Sequence, residues 1–381
     1  MTDPESEIYQ DEQADEIERE GMAAELAIMS VIATRLASVK DGTTYADARR
    51  WQVEDMAKIR GILERARDVF ARRAEIMADV AAKTSDEWAA PFYEARGKEQ
   101  TPAREDMFLN AALKHGEKKT VQKVADLTKS TVMGLVQHEH LGGGVASIGG
   151  FYQNLIDQMI KAVPRADRDE ILLSFVKTMS KSGCRVMYAS GHTRELYAAV
   201  SQNMLDGFRA TMQDVRDKQA EQFGADGVEI SAHGLCAKDH LPYQGKQYTT
   251  EEFEAIQKEL KRPFGKWNCR HRVSPIVLGV SSKTYTAKQR EEYRKLSEGM
   301  TDFMDEGGKR LTRYEFSQWQ RAEETKIRKA KMQAALIERS GLDATAEREA
   351  IEAAVKRYRA ASRKAQVSTH MNRLEVYDWP I

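Results

Sequence analysis

Three of the chain's eight histidines and two of its three cysteines fall between positions 233 and 271: His233, Cys236, His240, Cys269 and His271. Imidazole nitrogen and thiolate sulfur are donors that zinc accepts in a tetrahedron, so His233, His240, Cys269 and His271 make a candidate four-ligand set. The spacing follows no standard zinc pattern, and Cys236 is a fifth donor with no evident place. A second chemistry is open to the same stretch. His233, Asp239, His240 and Arg270 would suit general acid–base attack on a phosphodiester if they converged, although no motif of known mechanism is matched. A third reading needs neither metal nor turnover and carries the most weight: these side chains hydrogen-bond the backbone of a loop-rich unit and hold it together. No cofactor is then expected, with zinc as the one in view.

The elements that must position these groups are readable around them. Val228 to Ser231 is a strand candidate, Gln244-Gly245-Lys246 a turn, and Gln247-Tyr248 a short strand. Residues 250–260 read as a helix capped by Thr249 or Thr250 with glutamates following, and 272–278 as a last strand. Just upstream, Leu196, Val200, Met204, Phe208, Met212, Val215 and Phe223 recur on one face of a long helix that ends near Gly224, a spine for the small unit to pack on.

The remainder is mostly charged helix. A charged fraction of 31% with 8 prolines in 381 residues argues for long solvated helices in two or three domains rather than for a sandwich or barrel. Acidic and basic side chains balance at 59 each, so no global field draws the chain to nucleic acid. Three widely spaced cysteines make no disulfide framework, which points to a reducing compartment. No basic leader opens the chain, and the most apolar early stretch, 22–39, is interrupted by Glu25 and Arg35, so no membrane partner is expected.

In chain order, residues 1–20 read as a mobile acidic tail or as a helix that extends only when something binds it, the tail being the favoured reading. Helices follow over 22–39 and from Met56 to about Ala82, the second with Thr44 and Asp47 as cap candidates. Pro91, Gly97 and Pro102 then divide short segments, with helices expected at 103–113 and 119–138. His138-Glu139-His140 lacks the four-residue histidine spacing of a zinc protease helix. The Gly142-Gly143-Gly144 run follows no readable strand, and a flexible hinge is expected there. Helices return at 151–163 and 167–179. After the small unit, 287–303 reads as a helix, 305–309 as a turn, and 312–339 as a long helix with Phe316, Gln320, Glu323, Ile327, Ala330, Ala334 and Ile337 in heptad order. Gly341 and Asp343 separate it from a last helix, giving an antiparallel hairpin.

That hairpin is rich in cations. Lys329, Lys331, Arg357 and Arg359 are candidate contacts to double-stranded DNA, weighed against a solvated face interleaved with glutamates. The tail 367–381 keeps Leu374, Val376, Tyr377 and Trp379, a docking peptide by composition. The whole reads as mainly α with a small α+β unit. Its divisions are an acidic tail at 1–20, an N-terminal helical region at 21–150, a central domain at 151–286, the hairpin at 287–366 and the C-terminal tail at 367–381.

Several phrases stand in one order: Tyr188-Ala189-Ser190-Gly191, Val228-Glu229-Ile230-Ser231-Ala232-His233, Gln244-Gly245-Lys246-Gln247-Tyr248, Asn268-Cys269-Arg270-His271, and Arg313-Tyr314-Glu315 with Gln318, Arg321 and Glu324. Together they resemble the phage minor capsid protein 2 family and, more distantly, the head morphogenesis proteins of tailed phages. His233, His240, Gln244, Gly245, Asn268, Cys269, Arg270 and His271 match the pattern, with Gln244, Gly245, Asn268 and Arg270 as its structural motif, whereas Cys236 and Asp239 do not belong to it. The resemblance implies a minor structural protein of the virion head, made in the infected bacterial cytoplasm and incorporated near the portal. Its partners would be the portal and the major capsid or scaffolding protein, and no catalytic activity is implied. The alternative is a virion-carried hydrolase or toxin-like effector working through His233, His240 and His271.

Overall fold

The computed structural model describes residues 4–135, 144–163, 167–265 and 269–376. It is mainly helical, with small sheets. Three helices open the chain: α1 (Pro4–Ser38), α2 (Tyr45–Ala95) and α3 (Met107–Lys129). The strands β1 (Thr131–Leu135) and β2 (Gly144–Ser147) follow, then α4 (Ile148–Ala162), α5 (Arg168–Ser182), β3 (Cys184–Met187), β4 (Thr193–Glu195) and α6 (Leu196–Phe223). The small unit comprises β5 (Gly227–Ile230), β6 (Gln247–Thr249), α7 (Thr250–Glu259) and β7 (Val273–Ile276). The chain ends with α8 (Ala287–Glu298), β8 (Met300–Met304), β9 (Arg310–Thr312), α9 (Arg313–Arg339), α10 (Thr345–Ala365) and a 3-10 turn at Met371–Leu374.

Local chemistry sets most helix starts. Thr44 and Asp47 form a reciprocal capping box at α2, and the same device recurs with Thr249 and Glu252 at α7, Thr286 and Gln289 at α8, and Thr312 and Glu315 at α9. Each pair satisfies two backbone donors that the first helical turn leaves without partners.

One apolar cluster extends from Ile17 to Ala344 and takes side chains from α1, α2, α3, α4, α5, α6 and α9. This cluster takes in residues on both sides of position 150. The spine is α6, which contacts α1, α2 and α3. At its crossing with α3, two glycines and two threonines interlock. Thr120 Oγ1 donates to Gly116 O (2.9 Å) and Thr211 Oγ1 to Gly207 O (2.8 Å), each within its own helix. A Cβ on Gly207 would lie 2.1 Å from Thr120 Oγ1, and one on Gly116 would lie 2.0 Å from Thr211 Oγ1. Only glycine permits this approach of the two backbones.

Among the described residues the strands form three antiparallel groups: a sheet ordered β2-β1-β3-β4, a sheet ordered β6-β5-β7, and the hairpin β8-β9. At the far end of α6, Phe223 stacks on Phe92 (centroids 4.8 Å apart) and packs with Trp88, Tyr93 and Val277. This patch ties the helical body to the small sheet.

Several expectations are corrected. The acidic head is not a tail: α1 runs without a break through residue 20, because its acids find arginines elsewhere in the chain. Glu16 and Glu20 pair with Arg73, Glu18 with Arg328, and Asp15 with Arg373. Within α1, Glu12–Ser38 is long and apolar enough to cross a membrane, contrary to the estimate from its charges, but 78% of its most apolar window is buried inside the protein. Pro91 does not end a segment; α2 passes through it to Ala95, held by the burial of Trp88, Ala89 and Tyr93. The helices expected at 103–113 and 119–138 are one helix, α3, and the chain then enters β1. The helix expected at 287–303 stops at Glu298 and gives way to β8. Of the glycine-run hinge, Gly142 and Gly143 lie outside the described residues, as do His138 and His140, whereas Gly144 is the first residue of β2.

Candidate functional site

The small unit begins where α6 ends. Gly224 takes a left-handed conformation (φ 75°), and the Asp226 N–H donates to Ile276 O (3.1 Å) while its carboxylate accepts from Leu278 N–H (2.7 Å). β5 is the central strand, with Val228 opposite Tyr248 on one side and Pro275 on the other. Past Ile230 the regular ladder is replaced by a clamp. Ser231 N–H donates to Arg272 O (2.9 Å), and Arg272 N–H donates to Ser231 Oγ (2.9 Å). The clamp draws together the chain just after β5 and the chain just before β7, so the His233 and His271 rings pack with centroids 4.4 Å apart.

Gly245 closes the intervening loop, its N–H donating to Ile230 O (2.8 Å). Its φ is 70°, and a Cβ there would lie 2.8 Å from Arg290 Cγ, so glycine is required on both counts. This turn sets Gln244 against the rings. Gln244 Oε1 accepts from His233 N–H (3.2 Å) and lies 3.2 Å from His271 Nε2. Because the His233 backbone must donate, the Gln244 atom at this point is the oxygen, and His271 therefore carries its proton on Nε2.

His240 is oriented in the same way. Its Nε2 lies 2.7 Å from Arg262 O, a carbonyl that can only accept, so Nε2 is protonated and Nδ1 keeps its lone pair. Both bare Nδ1 atoms face one sulfur: Cys269 Sγ is 3.5 Å from His240 Nδ1 and 3.4 Å from His271 Nδ1. His240, Cys269 and His271 are at most 4% exposed, and their donor atoms all lie within 4.8 Å of one another.

Burial pushes the His240 imidazole below its ordinary range. The His271 imidazole is pushed down further, by burial first and then by His233, His240 and Arg262. Burial also raises the Cys269 thiol and pushes the Cys236 thiol up to about 12. In each case burial favours the uncharged form.

Of the four expected ligands the structure gathers three. His233 stands apart, with Nδ1 2.7 Å from Gly234 O and its ring against that of His271. Cys236 lies on the protonated side of His271, its Sγ 3.5 Å from Nε2, and its N–H donates to Ser297 Oγ on α8 (3.0 Å). Arg270 lines the adjoining cavity, and Asn268 lies outside the described residues. Three contributors were not singled out from sequence. Phe264 packs on His240 (centroids 4.2 Å) and edge-on to His271 (5.1 Å), Arg262 supplies the carbonyl, and Ser297 comes from a distant helix. Pro263-Phe264-Gly265, an aromatic inside a turn signal, was the cue for the first.

His233, His240, Cys269 and His271 all line one cavity of about 540 Å³, which reaches to Tyr314 and Arg321 of α9. The proposed DNA contacts lie elsewhere, and three of the four have internal acceptors. Lys329 pairs with Glu195, Lys331 Nζ donates to Leu374 O (2.8 Å), and Arg357 pairs with Glu323 (2.9 Å). Arg359 is exposed.

The family of phage minor capsid protein 2 matches residues 22–364, nearly the whole chain. This chain is a member of the phage minor capsid protein 2 family. No curated protein and no solved structure matches it. In this minor capsid protein the matched span takes in most of the helical core, the whole small unit and nearly all of the C-terminal hairpin.

Proposed function

We propose that this minor capsid protein is incorporated into the virion head during assembly in the host cytoplasm, beside the portal vertex, and acts by binding the portal and the major capsid or scaffolding protein. The observation that carries the reading is the family match over residues 22–364. The architecture suits it. α2 alone, at 51 residues, spans about 75 Å at the helical rise, a rigid strut rather than a frame for a catalytic cleft. Protein is favoured over DNA as the partner, since Lys329, Lys331 and Arg357 are engaged within the chain. Tyr377 and Trp379, anchors by composition, lie outside the described residues. Among the described residues, Met107 and Phe108 are adjacent and exposed (72% and 66%) at the start of α3, the kind of apolar anchor that protein interfaces bury.

One observation favours the alternative of a virion-carried hydrolase: His233, His240 and His271 share the wall of a cavity. Co-expression with the portal and major capsid proteins, followed by pull-down and electron microscopy of the heads, separates the two. Incorporation that is lost on replacing Met107 and Phe108 by aspartate supports the structural reading. A protein that stays alone in solution and is absent from heads overturns it. So does a folded triple-histidine variant that assembles normally but loses a hydrolytic activity.

A further inference from the structure

We propose that His240, Cys269 and His271 form a zinc site with three protein ligands, whose fourth position opens on the adjoining cavity and is filled by water. The inference is independent of the head-assembly reading and concerns only what this chain binds.

Three observations converge. The first is distance. With zinc–sulfur and zinc–nitrogen bonds of about 2.3 and 2.0–2.1 Å, the sulfur–nitrogen edge of a coordination tetrahedron is about 3.5 Å. The Cys269 Sγ separations from His240 Nδ1 and His271 Nδ1 are 3.5 and 3.4 Å. The second is orientation. A metal-bound imidazole ordinarily donates its other N–H to a carbonyl or carboxylate, which holds the ring and fixes the tautomer. His240 does so to Arg262 O and His271 to Gln244 Oε1, leaving both Nδ1 atoms unprotonated beside Cys269 Sγ. The third is the surroundings. All three residues are nearly buried, yet each contributes to the wall of the same cavity, which would supply a water to the fourth position.

The donor set selects the metal. One thiolate and two imidazoles suit zinc and are poor ligands for magnesium or calcium, which take oxygen. As the metal binds, a bond forms between Cys269 Sγ and zinc and the thiol proton leaves to solvent, so the site carries one anionic and two neutral ligands. Cys236 is not a ligand, because it meets His271 at the nitrogen that carries the proton. His233 is not one either, since the clustered donor atoms are those of His240, Cys269 and His271, and its Nδ1 lies 2.7 Å from Gly234 O.

The test uses the full chain, purified under reducing conditions and titrated with zinc and with cobalt(II). One metal per chain is expected, with a melting temperature that falls on chelation and recovers when zinc is restored. The cobalt form should show thiolate-to-metal charge-transfer absorption and tetrahedral visible bands. Cys269→Ser should abolish the charge-transfer band while Cys236→Ser keeps it, and Gln244→Ala should weaken zinc binding roughly tenfold through loss of the outer hydrogen bond. A folded wild-type protein that takes up no zinc overturns the proposal. A charge-transfer band that survives in Cys269→Ser and vanishes in Cys236→Ser also overturns it. Should Cys269→Ser fail to fold, the wild-type stoichiometry and chelator-dependent melting decide the question.

Discussion

Arg373 Nε donates to Asp15 Oδ2 across 2.8 Å, joining residues 358 positions apart in the chain, and both side chains are nearly buried. Together with Arg19–Glu375 and Arg328–Glu18, this pair fastens the N-terminal helix to the far end of the protein. Removing one partner of such a pair leaves the other charge buried. Arg373→Ala should therefore destabilise the protein by on the order of 3 kcal/mol, and the loss should be largely absent when Asp15→Asn is already present. Denaturant melts of the two single variants and the double variant measure the coupling. If Arg373→Ala unfolds at the parent's midpoint, the clasp has no role in stability.

Glu25 supplies a pH dependence. Burial, and then repulsion from Glu195, raises its carboxyl to about 8, and Tyr197 N–H donates to it. In the unfolded chain the same carboxyl ionises near its ordinary value of 4.5. Between these two values the folded state holds a proton that the unfolded state has released, so stability from this group is present at low pH and falls as pH rises towards 8. Glu25→Gln should remove that slope, melting close to the parent at about pH 5 and above it at about pH 9. A variant that melts below the parent at the higher pH would mean that the carboxylate is charged and stabilising in place.

The α3–α6 crossing makes a steric prediction. Gly207→Ala would drive a methyl group into Thr120, whose Oγ1, Cγ2 and Cβ would stand 2.1, 3.0 and 3.1 Å away, so a change of rotamer leaves close atoms in place. A loss of about 1–3 kcal/mol is expected from overpacking. Thr120→Ala in the same chain should recover part of it by clearing the nearest atoms. Thermal melts check both, and an alanine at 207 that costs nothing would show that the helices can separate freely.

Much of the fold was legible because it is set by neighbours in sequence. The apolar stripe from Leu196 to Phe223 is α6. The threonine–carboxylate pairs at 44 and 47 and at 249 and 252 start helices, since a capping box needs only residues three apart. β5, β6 and β7 lie within one or two residues of their expected places. Two of the errors share one cause. Pro91 reads as a break, yet the helix continues because Phe223 and Val277, from more than a hundred residues away, bury its neighbours. The acidic head reads as a tail, and it is helical because Arg73, Arg328 and Arg373 reach it. Local composition carries no record of such partners.

The candidate site divides in the same way. Sequence by itself determined which donors exist, that they cluster between 233 and 271, and that Gly245 must make the turn between them. It could not say which nitrogen of each ring carries a proton, that Cys269 rather than Cys236 faces both bare nitrogens, or that His233 falls outside the trio. Those were decided by the Ser231–Arg272 clamp, the Arg262 carbonyl and the Gln244 amide, which fix ring orientation through hydrogen bonds between segments distant in the chain. A donor's type is a property of its residue, but the direction of its lone pair depends on which groups the tertiary structure sets around it.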